Sequence, residues 1–120
     1  MELGQRAEIT RTFTSADLAG YQQLAQVEGP QHVPEPLIAA LFSYLLGVKL
    51  PGPGTNYLKQ EIRFVAQAGC DQPLTASVEV TRLRPEKQIV DLWARACLQD
   101  GTVVAEGRSL VKYADTGHGG

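Results

Sequence analysis

The sequence predicts an α+β fold: a curved, mostly antiparallel sheet wrapped around one buried central helix. Three observations carry this. Residues 36–47, PLIAALFSYLLG, are apolar nearly all round, and a helix with no polar face must bury every side. Downstream of a Pro-Gly-Pro-Gly break, four segments alternate apolar and polar residues at the strand period, with short turns between them. The chain is 120 residues long, enough for one domain with one core, so only a single sheet curling around the helix can cover it.

The elements follow in order. Residues 5–13 read as a first strand in which Ala7, Ile9 and Arg11 alternate with polar neighbours. Thr14 or Ser15 then caps a helix running to about Gln26, with Asp17 in its first turn. Its apolar residues Leu18, Tyr21, Leu24 and Ala25 recur at helical spacing. Residues 28–36, EGPQHVPEP, form an irregular link with three prolines. Pro36 can open the central helix, because a first-turn position loses no hydrogen bond. Gly47 and the prolines and glycines at 51–54 end it. Strands are expected over residues 55–66, 74–80, 88–98 and 102–113. In the second of these Leu74, Ala76, Val78 and Val80 share one face and Thr75, Ser77 and Glu79 the other. In the third, Val90, Leu92, Ala94, Ala96 and Leu98 share a face, and Asp100-Gly101 is a strong hairpin turn. The pattern places one domain at residues 1–114 and a mobile, Gly-rich tail at 115–120, where His118 is a tail residue rather than a ligand.

Composition narrows the function classes. Hydrophobic content is 43%, charged content 20% and formal net charge −2, with Lys and Arg spread along the chain. That gives no electrostatic case for a nucleic-acid partner. No apolar run reaches the ~18–20 residues of a membrane span, and MELGQRAEIT lacks the apolar core of a signal peptide. A reduced, cytoplasmic protein is expected. Cys70 and Cys97 have no metal-like spacing, and no metal site is expected. Cys97, in an apolar strand, reads as a small hydrophobe.

Helix, Pro-Gly loop and strands in this order are the pattern of hot-dog folds, whose sheets or helices usually pair into dimers. More specifically, the chain resembles the MaoC-like (R)-specific enoyl-CoA hydratases nearly end to end. LGQRAEITRTFTSADLAGYQQLA, from Leu3, is similar to their opening strand and helix. VPEPLIAALFSYLLGVKLPGPGTNYLKQEIRF and the strands after it, from Val33, are similar to the rest, the PGPGT before a strand being the most specific piece. The resemblance implies addition of water across a trans-2-enoyl thioester, or its loss from a (3R)-hydroxyacyl thioester. It implies no cofactor, with a coenzyme A or acyl-carrier thioester as substrate, and a homodimer. Neither a nucleic acid nor a membrane is an expected partner.

In that family an Asp and a His in a D-x-N-P-x-H motif handle the two protons, one leaving water and one reaching C2. Aligned without a gap from the N-terminus, the motif falls on Val27-Glu28-Gly29-Pro30-Gln31-His32. Pro30 and His32 match; Val27 stands where the family has Asp, and Gly29 where it has Asn. About fifteen residues that overhang the acyl tunnel in the family are missing after His32. Glu35 replaces the helix-start Gly, and Pro36 has no backbone N–H to donate to a thioester oxygen. Ser43 matches the family's active-site Ser on the central helix. The implied catalytic set is therefore His32 and Ser43, with Glu28 as a substitute carboxylate. Against this, Glu28 also reads as a solvated side chain, His32 as a loop histidine, and Ser43 as a small residue bonding back to a carbonyl. Glu35, Leu37 and Tyr57 are the implied substrate-binding positions, although Tyr57, like Trp93, also reads as packing.

Three functions fit these residues. The first is a hydratase or dehydratase impaired or altered by the lost Asp and overhang. The second is a non-catalytic acyl-CoA-binding module or heteromer subunit. The third is a thioesterase that uses Glu35 to activate water.

Overall fold

The computed structural model describes residues 1–14, 16–17 and 33–113. Strands β1 (Arg6–Thr12), β2 (Asn56–Phe64), β3 (Pro73–Arg84), β4 (Ile89–Leu98) and β5 (Val103–Lys112) form one antiparallel sheet in the order β1-β3-β4-β5-β2. One helix, α1 (Glu35–Tyr44), packs on β3, and the π-helical turn Leu45–Lys49 that continues it packs on β1 and β3. This is the expected α+β class. No helix among the described residues is long and apolar enough to cross a membrane.

Alternation builds the core. The register sets Ala76 opposite Ala96 and Val78 opposite Ala94, so the apolar positions of neighbouring strands meet on one face. Leu74, Val78, Val80, Val90, Leu92 and Val111 are buried there beneath Ile38, Leu41 and Phe42 of α1 and Leu45 and Leu46 of the π-helical turn. The hairpin turn at Asp100-Gly101 forms as its residues predict. Gly101 takes φ 92°, a conformation costly for other residues. The Thr102 N–H donates to the Asp100 carboxylate at 2.9 Å and holds that carboxyl below its ordinary pKa.

Three features differ from the sequence pattern. β3 does not stop at Val80 but runs to Arg84, because a bulge between Val80 and Arg82 resets the alternation. β4 begins at Ile89 rather than Gln88, because Gln88 turns into the left-handed region at φ 57° after Pro85–Lys87. The central helix is not buried on every side. Pro36, Ala40, Ser43 and Tyr44 are exposed. Pro36, Ala40, Ser43 and Gly47 recur at helical spacing and so share a face. The physical reason is that a single five-stranded sheet covers only one side of a helix.

Gly107 permits the sheet's sharpest approach. A Cβ placed there would lie 1.7 Å from the Glu61 carbonyl oxygen and 2.8 Å from the Ile62 Cα. Only a residue without a side chain lets β2 pair so closely with β5.

On the outer face of the sheet, Asp91 is 6% exposed and lies between two guanidiniums. Arg108 Nη2 is 3.1 Å and Arg84 Nη2 3.8 Å from its Oδ2. Asp91→Ala removes the acceptor of the Arg108 hydrogen bond and the partner of the Arg84 ion pair, and is expected to cost about 1–2 kcal/mol, moderated by the half-exposed Arg108. A urea midpoint unchanged by the substitution would refute this.

At the start of the predicted first helix, Thr14 and Asp17 bond reciprocally. The Thr14 N–H donates to the Asp17 carboxylate at 2.9 Å and the Asp17 N–H to Thr14 Oγ1 at 3.1 Å, the geometry of a capping pair. The Thr14 backbone N–H in turn lowers the Asp17 pKa. The body of that helix, Val27, Glu28, Pro30, His32 and the tail lie outside the described residues.

Candidate active site

Of the six residues expected to carry function, Glu28 and His32 lie outside the described residues, and Glu35, Leu37, Ser43 and Tyr57 lie within them. The chain enters α1 through Val33, whose N–H donates to the Ala68 carbonyl at 2.7 Å and ties the helix start to the loop after β2. Pro34 is the N-cap in extended conformation and makes no side-chain cap. The Leu37 and Ile38 N–H groups both donate back to the Pro34 carbonyl, at 3.0 and 3.4 Å. Pro36 has no N–H. Among the described residues, Glu35 is thus left with the one first-turn N–H that has no partner. Its side chain is exposed. A helix start that usually offers several donors to an oxyanion offers one here, beside a carboxylate of the same residue.

Leu37 is half-buried and packs against the core, so only its remaining surface is open. Ser43 lies two turns further on, ~12 Å along the helix from Glu35, and is exposed on the open face. Tyr57 reaches across from β2, and its hydroxyl donates to the Ser43 carbonyl at 3.3 Å. That carbonyl sits where α1 gives way to the π-helical turn, a switch of hydrogen-bond register that frees acceptors. The structure therefore brings Ser43 and Tyr57 together and holds Glu35 apart from them.

Sequence reasoning missed Gln60. Its Nε2 donates to Ser109 Oγ at 3.4 Å, and Ser109 is fully buried on the inner face. A strict period of two puts Tyr57 and Gln60 on opposite faces. A bulge between Tyr57 and Lys59 brings both inward, opposite Val111 and Ser109. Nothing in the local sequence marks that bulge.

Between them these residues supply a hydroxyl, a phenol, an amide and one carboxylate. The described residues include neither of the chain's two histidines, and no group of His, Cys, Asp and Glu among them could hold a metal ion. Among the described residues the acid–base groups here are Glu35 and Tyr57.

Sheet order, the single central helix and its open Ser-bearing face define a hot-dog protein. No family model matches the chain, but close relatives do. It is 34% identical to the (R)-specific enoyl-CoA hydratase of Aeromonas caviae over 127 aligned positions, covering 93% of this chain and 95% of that protein. It is 33% identical to the (R)-specific enoyl-CoA hydratase of Rhodospirillum rubrum, over 90% of this chain and 85% of that one. The chain belongs to the (R)-specific enoyl-CoA hydratase family. The solved (R)-hydratase of A. caviae superposes with a TM-score of 0.85, covering 95% of this chain and 98% of that one. The unliganded R-hydratase PhaJ1 of Pseudomonas aeruginosa, 27% identical, also gives 0.85, over 96% of this chain and 83% of that one. An alignment of 127 positions that spans 93% of a 120-residue chain needs gaps on this chain's side. A shortened segment before α1 would produce such gaps.

Proposed function

We propose that the chain hydrates trans-2-enoyl thioesters to (3R)-hydroxyacyl thioesters, or runs the reverse dehydration, with acid–base machinery weaker than its relatives'. The observation that carries this is the near-full-length match to (R)-specific enoyl-CoA hydratases, joined to a Ser43 on the open face of α1. In this reading His32 takes a proton from water as the oxygen attacks C3, and a proton reaches C2 to complete the addition. The Glu35 N–H serves the thioester oxygen as charge gathers there. Glu28 is the carboxylate nearest in sequence to the lost Asp. The test is turnover of crotonyl-CoA and a longer trans-2-enoyl-CoA by the purified chain and by His32→Ala. Activity present in the first and lost in the second supports the reading.

The single free N–H at the helix start also favours a second reading, an acyl-CoA-binding chain without turnover or one half of a heteromer. It requires measurable affinity for a saturated acyl-CoA and no product from any enoyl-CoA. Release of free CoA, with Glu35 activating water, would instead point to thioester hydrolysis. The same reading admits either coenzyme A or an acyl carrier as the thiol.

The working unit in this reading is a homodimer. Among the described residues β2 is an edge strand paired only with β5, and Tyr57 and Leu58 on it are 47% and 51% exposed. Tyr44 and Val48, at the end of α1 and in the π-helical turn, are 42% and 54% exposed. A free edge beside such apolar residues invites a second strand. Leu58→Glu is expected to shift the chain from dimer to monomer in light scattering at micromolar concentration; an unchanged mass counts against β2 as the contact.

A further inference from the structure

The outer face of the sheet is divided by charge. Register places Arg84, Ile89, Lys112 and Asn56 in one row across β3, β4, β5 and β2, and Arg82, Asp91, Leu110 and Lys59 in the next. Arg108 follows in the row beyond, opposite Trp93. Five of the chain's eleven Lys and Arg residues thus lie on this end of one face, although the whole chain is net acidic. Three acids lie on these rows, Asp91, Glu61 and Glu79, the last opposite Trp93. Asp91 is nearly buried and held by Arg84 and Arg108, and Glu61 pairs with Lys59 at 3.0 Å. Arg82 and Lys112 are exposed and make no ion pair among the described residues. Arg84 Nε has no hydrogen-bond partner either. Between these cations the rows present Ile89 and Leu110, both half-buried.

We propose that this end of the outer face docks an acidic amphipathic helix of a partner protein, its apolar stripe on Ile89 and Leu110 and its carboxylates on Arg82, Lys112 and Lys59. The patch complements such a helix in both respects: positive charge at the margins and apolar surface in the middle. A polyphosphate fits less well. Its dense charge would sit over the Asp91 carboxylate and would leave the apolar middle without a partner. The surface lies on the opposite face of the sheet from α1, so its occupant is independent of the acyl-thioester reading.

The probe is a fluorescein-labelled helical peptide of about 18 residues, with a Leu stripe flanked by Glu, titrated with the full chain in fluorescence anisotropy. The expected result is binding at least about tenfold tighter than to the same peptide carrying Gln for Glu, weakening as salt rises from about 50 to 300 mM. Arg82→Glu with Lys112→Glu should lose about tenfold, and so should Leu110→Gln. Arg82→Glu alone, at an exposed site, provides a smaller charge reversal that leaves the sheet intact if the double variant unfolds. Equal affinity for the Gln peptide, or affinity unmoved by these reversals, overturns the proposal. So does preferential binding of a single-stranded DNA oligonucleotide or of phosphatidylglycerol vesicles. Hydration of crotonyl-CoA, where present, should be unchanged by Arg82→Glu.

Discussion

Gly107→Ala is expected to lower the thermal midpoint by about 10 °C or more, corresponding to roughly 3 kcal/mol. The added methyl would meet the Glu61 carbonyl oxygen and carbon at 1.7 and 2.7 Å. These are backbone atoms, so no rotamer change relieves the clash. β2 has to move away from β5 as a unit, giving up ladder bonds along a strand that has no second neighbour among the described residues. The loss reaches the candidate site as well, because Tyr57 holds the end of α1 from β2. A circular-dichroism melt decides the matter. A midpoint within about 2 °C of the parent would show that the two strands separate at little cost. Gly47→Ala is the control, since a Cβ there meets nothing within 4 Å.

Restoring a carboxylate by Val27→Asp is expected to raise the enoyl-CoA hydration rate by about 10²-fold or more, the usual scale of a positioned acid or base. The motif alignment leaves His32 and Pro30 in place and puts valine where the family has its Asp. Valine can neither accept a proton nor orient water. Where two groups act on one water, loss of either removes most of the rate, and recovering it needs both. The gain should therefore vanish in Val27→Asp with His32→Ala. Steady-state rates on crotonyl-CoA for the four proteins test the coupling. A gain that survives loss of His32 would separate the two residues. Absence of any gain would point to Glu28, or to the shortened segment itself, as the feature that sets the rate.

Much of the fold was legible because its signals are local. The apolar run of α1, the period of β3 and β4, the Asp100-Gly101 turn and the Thr14/Asp17 cap each follow from a few neighbouring residues. What could not be read depends on register. The bulge in β2 that turns both Tyr57 and Gln60 inward, and the one that lets β3 continue to Arg84, are set by the partner strand. The open face of α1 was illegible for a different reason. An all-apolar helix announces that it will be covered, but the sequence does not say by what, and one sheet covers only half. At the candidate site, Ser43 lies on an exposed face of α1, where the all-apolar pattern predicts burial. Its link to Tyr57 spans fourteen residues and depends on the register switch at the end of α1.

Glu35 has one further consequence, for which acyl groups this protein can handle. The positive end of a helix ordinarily draws anions. Here the first helical residue brings its own negative charge to that spot, and the two prolines beside it strip away donors. An acyl chain ending in a carboxylate, if it lay near the mouth of α1, would meet a like charge and little compensation. In the reading proposed above, the helix start would then favour neutral acyl groups over dicarboxylic ones.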